Sequence, residues 1–145
     1  MSAIPIGAKG SFSIVVAPEH LASRFKDPTL PPVLATPLMI LFMENAALDA
    51  IREYLPPGES ALGTVVNIRH LAATPVGQRV TAEAVVTSVE NRRIVFTVTA
   101  RDETQEIGSG IHERALVDLR RLTQRLDDKR NQRGTDLPKG SDRAI

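Results

Sequence analysis

Between residues 34 and 51 the chain reads LATPLMILFMENAALDAI, apolar on almost every side of a helical wheel. The length of the run predicts an α-helix, opened by Thr36 as N-cap with Pro37 at the first helical position and stopped beyond Tyr54 by Pro56, Pro57 and Gly58. Downstream the hydrophobic period falls from 3.6 to 2. Val66, Ile68 and His70 share one face against Val65, Asn67 and Arg69. Val80, Ala82, Ala84 and Val86 align next, then Ile94, Phe96, Val98 and Ala100, then Ile107, Ile111, Ala115 and Val117. The joins around 75–77, 90–91 and 102–105 are short enough for hairpins, so the sheet should be antiparallel. GSFSIVVAP at 10–18 supplies a first strand, and residues 19–32, with Pro28, Pro31 and Pro32, form a short helical or irregular connector.

The pattern predicts an α+β domain over residues 1–122, an antiparallel sheet of about five strands wrapped around one long helix. Residues 123–145 are dense in charge and poor in large apolar side chains, which predicts a frayed helical turn and a disordered tail.

Against that pattern Glu44 is out of place. Its helical neighbours three and four residues away are Ile40, Leu41, Ala47 and Leu48, while Asn45, Asp49 and Arg52 mark the wet stripe. Burying an unpaired carboxylate costs several kcal/mol, so Glu44 needs either partners or a task.

Composition narrows the chemistry. The 145 residues suffice for one domain with a real core. There is no cysteine, which removes disulfides, thiolate metal sites and a cysteine nucleophile and suits a cytoplasmic protein. A net charge of +1 with 3% aromatic residues lacks the basic footprint and stacking surfaces of a nucleic-acid binder. No leader-like N-terminus or membrane-length apolar run is present.

The three histidines show no metal-ligand spacing. His20, beside Glu19, reads as a surface residue. His112 is out of phase with Ile111 and reads as solvated or interfacial. His70 continues an apolar face to a strand end before a Pro and Gly turn, where it is either a satisfied core histidine or a functional one.

Three blocks combine these signals. VLATPLMILFMENAALDAI, LPPGESALGTVVNIRHLAATPVGQRV and EIGSGIHERALVDL, covering most of residues 33–120, resemble a hotdog-fold thioesterase, similar to the fluoroacetyl-CoA thioesterase type. The resemblance implies a hotdog fold, a homodimer pairing its sheets edge to edge, open to further pairing of dimers, and acyl-CoA sites at the dimer interface. It implies Thr36, Glu44 and His70 as catalytic residues and Gly63 and Arg114 as substrate contacts, with no cofactor beyond the coenzyme A of the substrate. Members selective for the fluorinated acyl group carry aromatic lid residues before the first block. Here KDPTLPP has none between Phe25 and Phe42. The implied activity is hydrolysis of a small or medium acyl-CoA to free acid and coenzyme A. The alternatives are a hotdog hydratase or dehydratase, or a non-catalytic acyl-CoA-binding protein.

Overall fold

The computed structural model describes residues 3–136. Strands β1 (Lys9–Val15), β2 (Glu59–His70), β3 (Arg79–Glu90), β4 (Arg93–Arg101) and β5 (Glu106–Asp118) form one antiparallel sheet in the order β1-β3-β4-β5-β2. The helices are α1 (Ala22–Phe25), α2 (Thr36–Ile51) and α3 (Leu119–Asp136). This is the hotdog architecture that the sequence blocks imply: the sheet curls around α2.

Helix α2 buries Met39, Phe42, Met43, Ala46, Ala47, Ala50 and Ile51. Each large apolar side chain withdrawn from water there contributes about 1.5–3 kcal/mol. Strand β1 lies directly on the helix at Gly10, where a Cβ would collide with the backbone of Ala46 and Ala50. Beside that contact Phe12 stacks on Phe42 with ring centres 5.6 Å apart. The inward faces predicted for β3 and β4 are the observed ones, with Val80, Ala82, Ala84, Val86, Ile94, Phe96, Val98 and Ala100 all buried.

Four local expectations change. The N-cap of α2 is Ala35, and Thr36 sits in the first turn with its hydroxyl free of capping work. The cause lies upstream: Leu34 N–H donates to the Thr74 carbonyl and Ala35 N–H to the His20 carbonyl, each at 2.9 Å, which holds residues 34–35 extended up to the helix start.

On β5 the phase reverses. Ala100 pairs with Gly108 but Arg101 with Glu106, so Ile107 is an extra residue, and Ile107 and Gly108 are buried in succession. His112, Arg114 and Leu116 therefore face inward, and Ile111, not His112, is exposed.

On β2 a bulge at Thr64, between the pairs Gly63 with Arg114 and Val65 with Glu113, disturbs the expected alternation. Val66, predicted inward, is 47% exposed, and Leu62 and Val65 are exposed too. As an outer strand, β2 has no neighbour on that side to cover them.

Lastly, residues 119–136 form helix α3 where only a frayed turn was expected. Asp118 caps it by accepting from the Arg121 N–H at 3.0 Å, and its polar surface is laced by Gln124–Asp128 and Arg130–Asp127 contacts. Residues 137–145 of the predicted tail lie outside the described residues.

Candidate active site

The residues singled out from the sequence gather into two clusters. At the first turn of α2, Thr36 Oγ1 and His70 Nδ1 share a hydrogen bond of 2.7 Å. Thr36 is placed by the pinned segment before it. His70 is placed by the end of β2, where the Leu71 N–H turns back to the Ile107 carbonyl at 2.7 Å. The His70 Nε2 is buried with no hydrogen-bond partner among the described residues. Burial pushes the imidazole pKa below its ordinary value, opposed by a hydrogen-bonding contribution from the Ala72 backbone. A neutral ring with one nitrogen uncommitted is equipped to take or give a proton. Both side chains line a cleft of about 440 Å³ whose other walls include Leu30, Val33, Leu34 and Leu71.

Two turns further along α2 lies the second cluster. Glu44 Oε2 is 3.9 Å from the Arg114 guanidinium, with the arginine side chain 9% exposed and the glutamate side chain 32%. The dry environment predicted for Glu44 is thus only half right: its neighbours are apolar, but the chain's own sheet leaves that face of α2 uncovered, and Leu41 is exposed beside it. Arg114 also donates to the Ala61 carbonyl at 2.8 Å.

Gly63 completes this cluster by being small. A Cβ there would stand 3.1 Å from Glu44 Oε2, 3.4 Å from the His112 ring and 3.5 Å from Arg114. A methyl there would fit only if the Glu44 carboxylate gave way by a few tenths of an ångström.

His112 is the member that the sequence reading missed. Its ring is fully buried against Phe96, 5.8 Å between centres. Nδ1 lies 2.9 Å from the Val65 carbonyl and Nε2 lies 3.1 Å from the Arg114 guanidinium. A carbonyl only accepts and a guanidinium only donates, so Nδ1 carries the hydrogen and Nε2 accepts. The ring is held neutral in that tautomer. Burial lowers its pKa first, with the Val65 carbonyl opposing and the Arg114 charge adding to the lowering. The sequence held a usable signal: on one strand, His112 must share a face with Arg114, two residues on. His20, expected at the surface, is half-buried instead, accepting from the Ala17 N–H at 2.9 Å and meeting Phe42 edge-on.

The two clusters are distinct within one chain. Helix α2 runs unbroken from Thr36 past Glu44, which separates their backbones by about 12 Å along its axis. Among the described residues no group of three or more His, Asp or Glu could hold a metal ion, and no helix is long and apolar enough to cross a membrane.

Known proteins share this arrangement of elements. The fluoroacetyl-CoA thioesterase of Streptantibioticus cattleyicolor is 42% identical over 120 residues, spanning 79% of this chain and 86% of its own. A solved structure of the fluoroacetyl-CoA thioesterase FlK superposes with a TM-score of 0.82 at 37% identity, over 88% of this chain and 98% of that one. A thioesterase superfamily member from Thermus thermophilus gives a TM-score of 0.87 at 30% identity, over 94% and 100% of the two chains. The model of the fluoroacetyl-CoA-specific thioesterase family matches residues 16–120, the stretch that contains both clusters, and the chain belongs to that family.

Proposed function

We propose that the chain hydrolyses an acyl-CoA thioester to the free acid and coenzyme A, at a site assembled from the Thr36–His70 cluster of one subunit and the Glu44–Gly63–Arg114 cluster of its partner in a homodimer. The observation that carries this reading is where the clusters sit on β2. With Thr64 bulged out, Gly63 and His70 lie about 20 Å apart along that strand, and the midpoint falls at Asn67. A two-fold antiparallel pairing of β2 about that midpoint sets His70 of one subunit opposite Gly63 of the partner subunit. The exposed Leu62, Val65 and Val66 supply an apolar surface for such a pairing.

In the proposed reaction Glu44 serves as base toward water, or attacks the carbonyl itself as a transient nucleophile. The Gly63 N–H and Arg114 are available to the developing oxyanion. With Glu44 as base, water bonds to the acyl carbon as the C–S bond breaks, and the proton the water loses is relayed through the imidazole of His70, oriented by Thr36, to the departing coenzyme A thiolate. With Glu44 as nucleophile, the acyl anhydride it forms on breaking the C–S bond is opened by water in a second step. No cofactor takes part beyond the coenzyme A of the substrate, and the cysteine-free chain supports a cytoplasmic setting.

Free-thiol release from acyl-CoA, measured with Glu44→Gln, tests the chemistry. The variant should fold and lose most turnover; an unchanged kcat would remove Glu44 from the mechanism. Mixing Thr36→Ala with Glu44→Gln subunits tests the sharing. A shared site leaves one intact copy per mixed dimer and restores about a quarter of wild-type activity after random exchange. A site confined to one chain restores none.

A further inference from the structure

We infer that the cleft beside Thr36 and His70 is an acyl-chain site shaped for an uncharged aliphatic acyl group of about four to six carbons rather than for a two-carbon group. The inference rests on the hydrolase reading above and names its substrate class. The cleft measures about 440 Å³. At about 30 Å³ for a water-sized group, the few heavy atoms of an acetyl unit occupy a minor part of it.

The lining decides the chemistry of what fills the rest. Leu30, Val33 and Leu34 come from the segment before α2, and Leu71 from the residues after β2. Within one chain Leu30 is 37% and Leu71 55% exposed, so both walls of the cleft present apolar surface that the chain's own fold leaves uncovered. An alkyl chain laid between them covers that surface together with its own. Among the described residues that line the cleft, none carries a phenyl or phenol ring. Among the described lining residues the sole cation, Lys26, is exposed, so a carboxylate at the far end of the acyl chain would find no buried partner among them to offset its lost hydration.

Each methylene buried should raise affinity about fourfold, the equivalent of ~0.8 kcal/mol. The experiment is a ladder of non-hydrolysable coenzyme A thioethers, S-ethyl, S-butyl and S-hexyl, titrated calorimetrically into the full chain. Affinity is expected to climb by about fifteenfold from ethyl to butyl. In Leu71→Ser, a change at an exposed position that leaves the core intact, the butyl-to-ethyl ratio should fall at least about threefold.

A flat ladder overturns the inference, as does tighter binding of an ω-carboxylated thioether than of the alkyl one of equal length. Thiol release from acetyl-, butyryl- and hexanoyl-CoA is read in parallel. Release from all three beside a flat ladder overturns the acyl-chain site alone; a rising ladder with no release from any overturns the hydrolase reading alone.

Discussion

His112 and Arg114, two residues apart on β5, form one hydrogen-bonded unit in which the ring nitrogen accepts from the guanidinium at 3.1 Å while Val65 holds the other side of the ring. The histidine thereby aims the arginine toward Glu44. His112→Phe keeps the ring volume and removes the acceptor, leaving buried Arg114 one partner fewer. The expected cost is about 1–3 kcal/mol of stability. Turnover should fall alongside, and His112→Gln, which retains an acceptor, should recover part of both. Thermal melting and thiol release on the pair of variants check this.

Acid should destabilise the fold earlier than carboxylate protonation alone would. His70 and His112 both have pKa values held below the ordinary imidazole value, chiefly by burial. The unfolded chain therefore binds protons first as pH falls below about 6.5, and stability declines from there down to the lowered folded pKa values. At His112 a second proton on the ring would also face the Arg114 N–H. The melting temperature should drop between pH 7.5 and 5.5, and His112→Gln should flatten that slope.

Gly63→Ala probes whether empty space matters. The added methyl lands 3.1 Å from Glu44 Oε2. The carboxylate is the end of a flexible side chain, so it can move at small cost to stability. Activity should fall at least about tenfold, since a displacement of an ångström at a reacting group is enough for that. Unchanged turnover would mean that Glu44 does not act from its observed position.

Asp102 ties the first cluster together from a distance. Its carboxylate accepts from Thr74 Oγ1 at 2.8 Å and from the N–H groups of Thr104 and Gln105, and the Thr74 carbonyl in turn pins Leu34 just before Thr36. Burial raises its pKa, but the hydrogen bonds from Thr104, Thr74 and Gln105 together outweigh that and hold it below the ordinary value. Asp102→Ala orphans the buried Thr74 hydroxyl and should cost about 2–3 kcal/mol. It should also lower kcat, with Asp102→Asn intermediate; circular-dichroism melts and steady-state kinetics report the two effects.

How much of this was legible depended on whether a residue's neighbours were local. The faces of β3 and β4 followed from alternation alone because both strands are interior and the register shift of β3, at Thr87, falls just past Val86, the last residue of its predicted face. On β5 one extra residue at Ile107 reversed the phase, and nothing in the local pattern EIGSGIH announces it, so His112 was read outward. Thr36 looked like a cap because Thr before Pro commonly is one; its true partner, His70, is 34 residues away. Glu44 stood out by periodicity, and Gly63 and Arg114 were placed by resemblance, yet their mutual contacts needed the coordinates. Helix α3 was missed because its stabilising features, an Asp cap and side-chain pairs, lie in residues that composition alone marks as unstructured.

Strand β2 carries Gly63 near one end and His70 at the other along an unpaired edge. In a two-fold assembly such a strand works as a ruler whose markings are read from both ends at once. Slipping its register by two residues would preserve every inward and outward side chain, yet would carry His70 about 7 Å past the opposing glycine. Alignment of the edge, more than any single contact along it, then becomes the quantity on which drift in the sequence would act. Two copies that still adhere but have lost step would be intact proteins with dismantled sites.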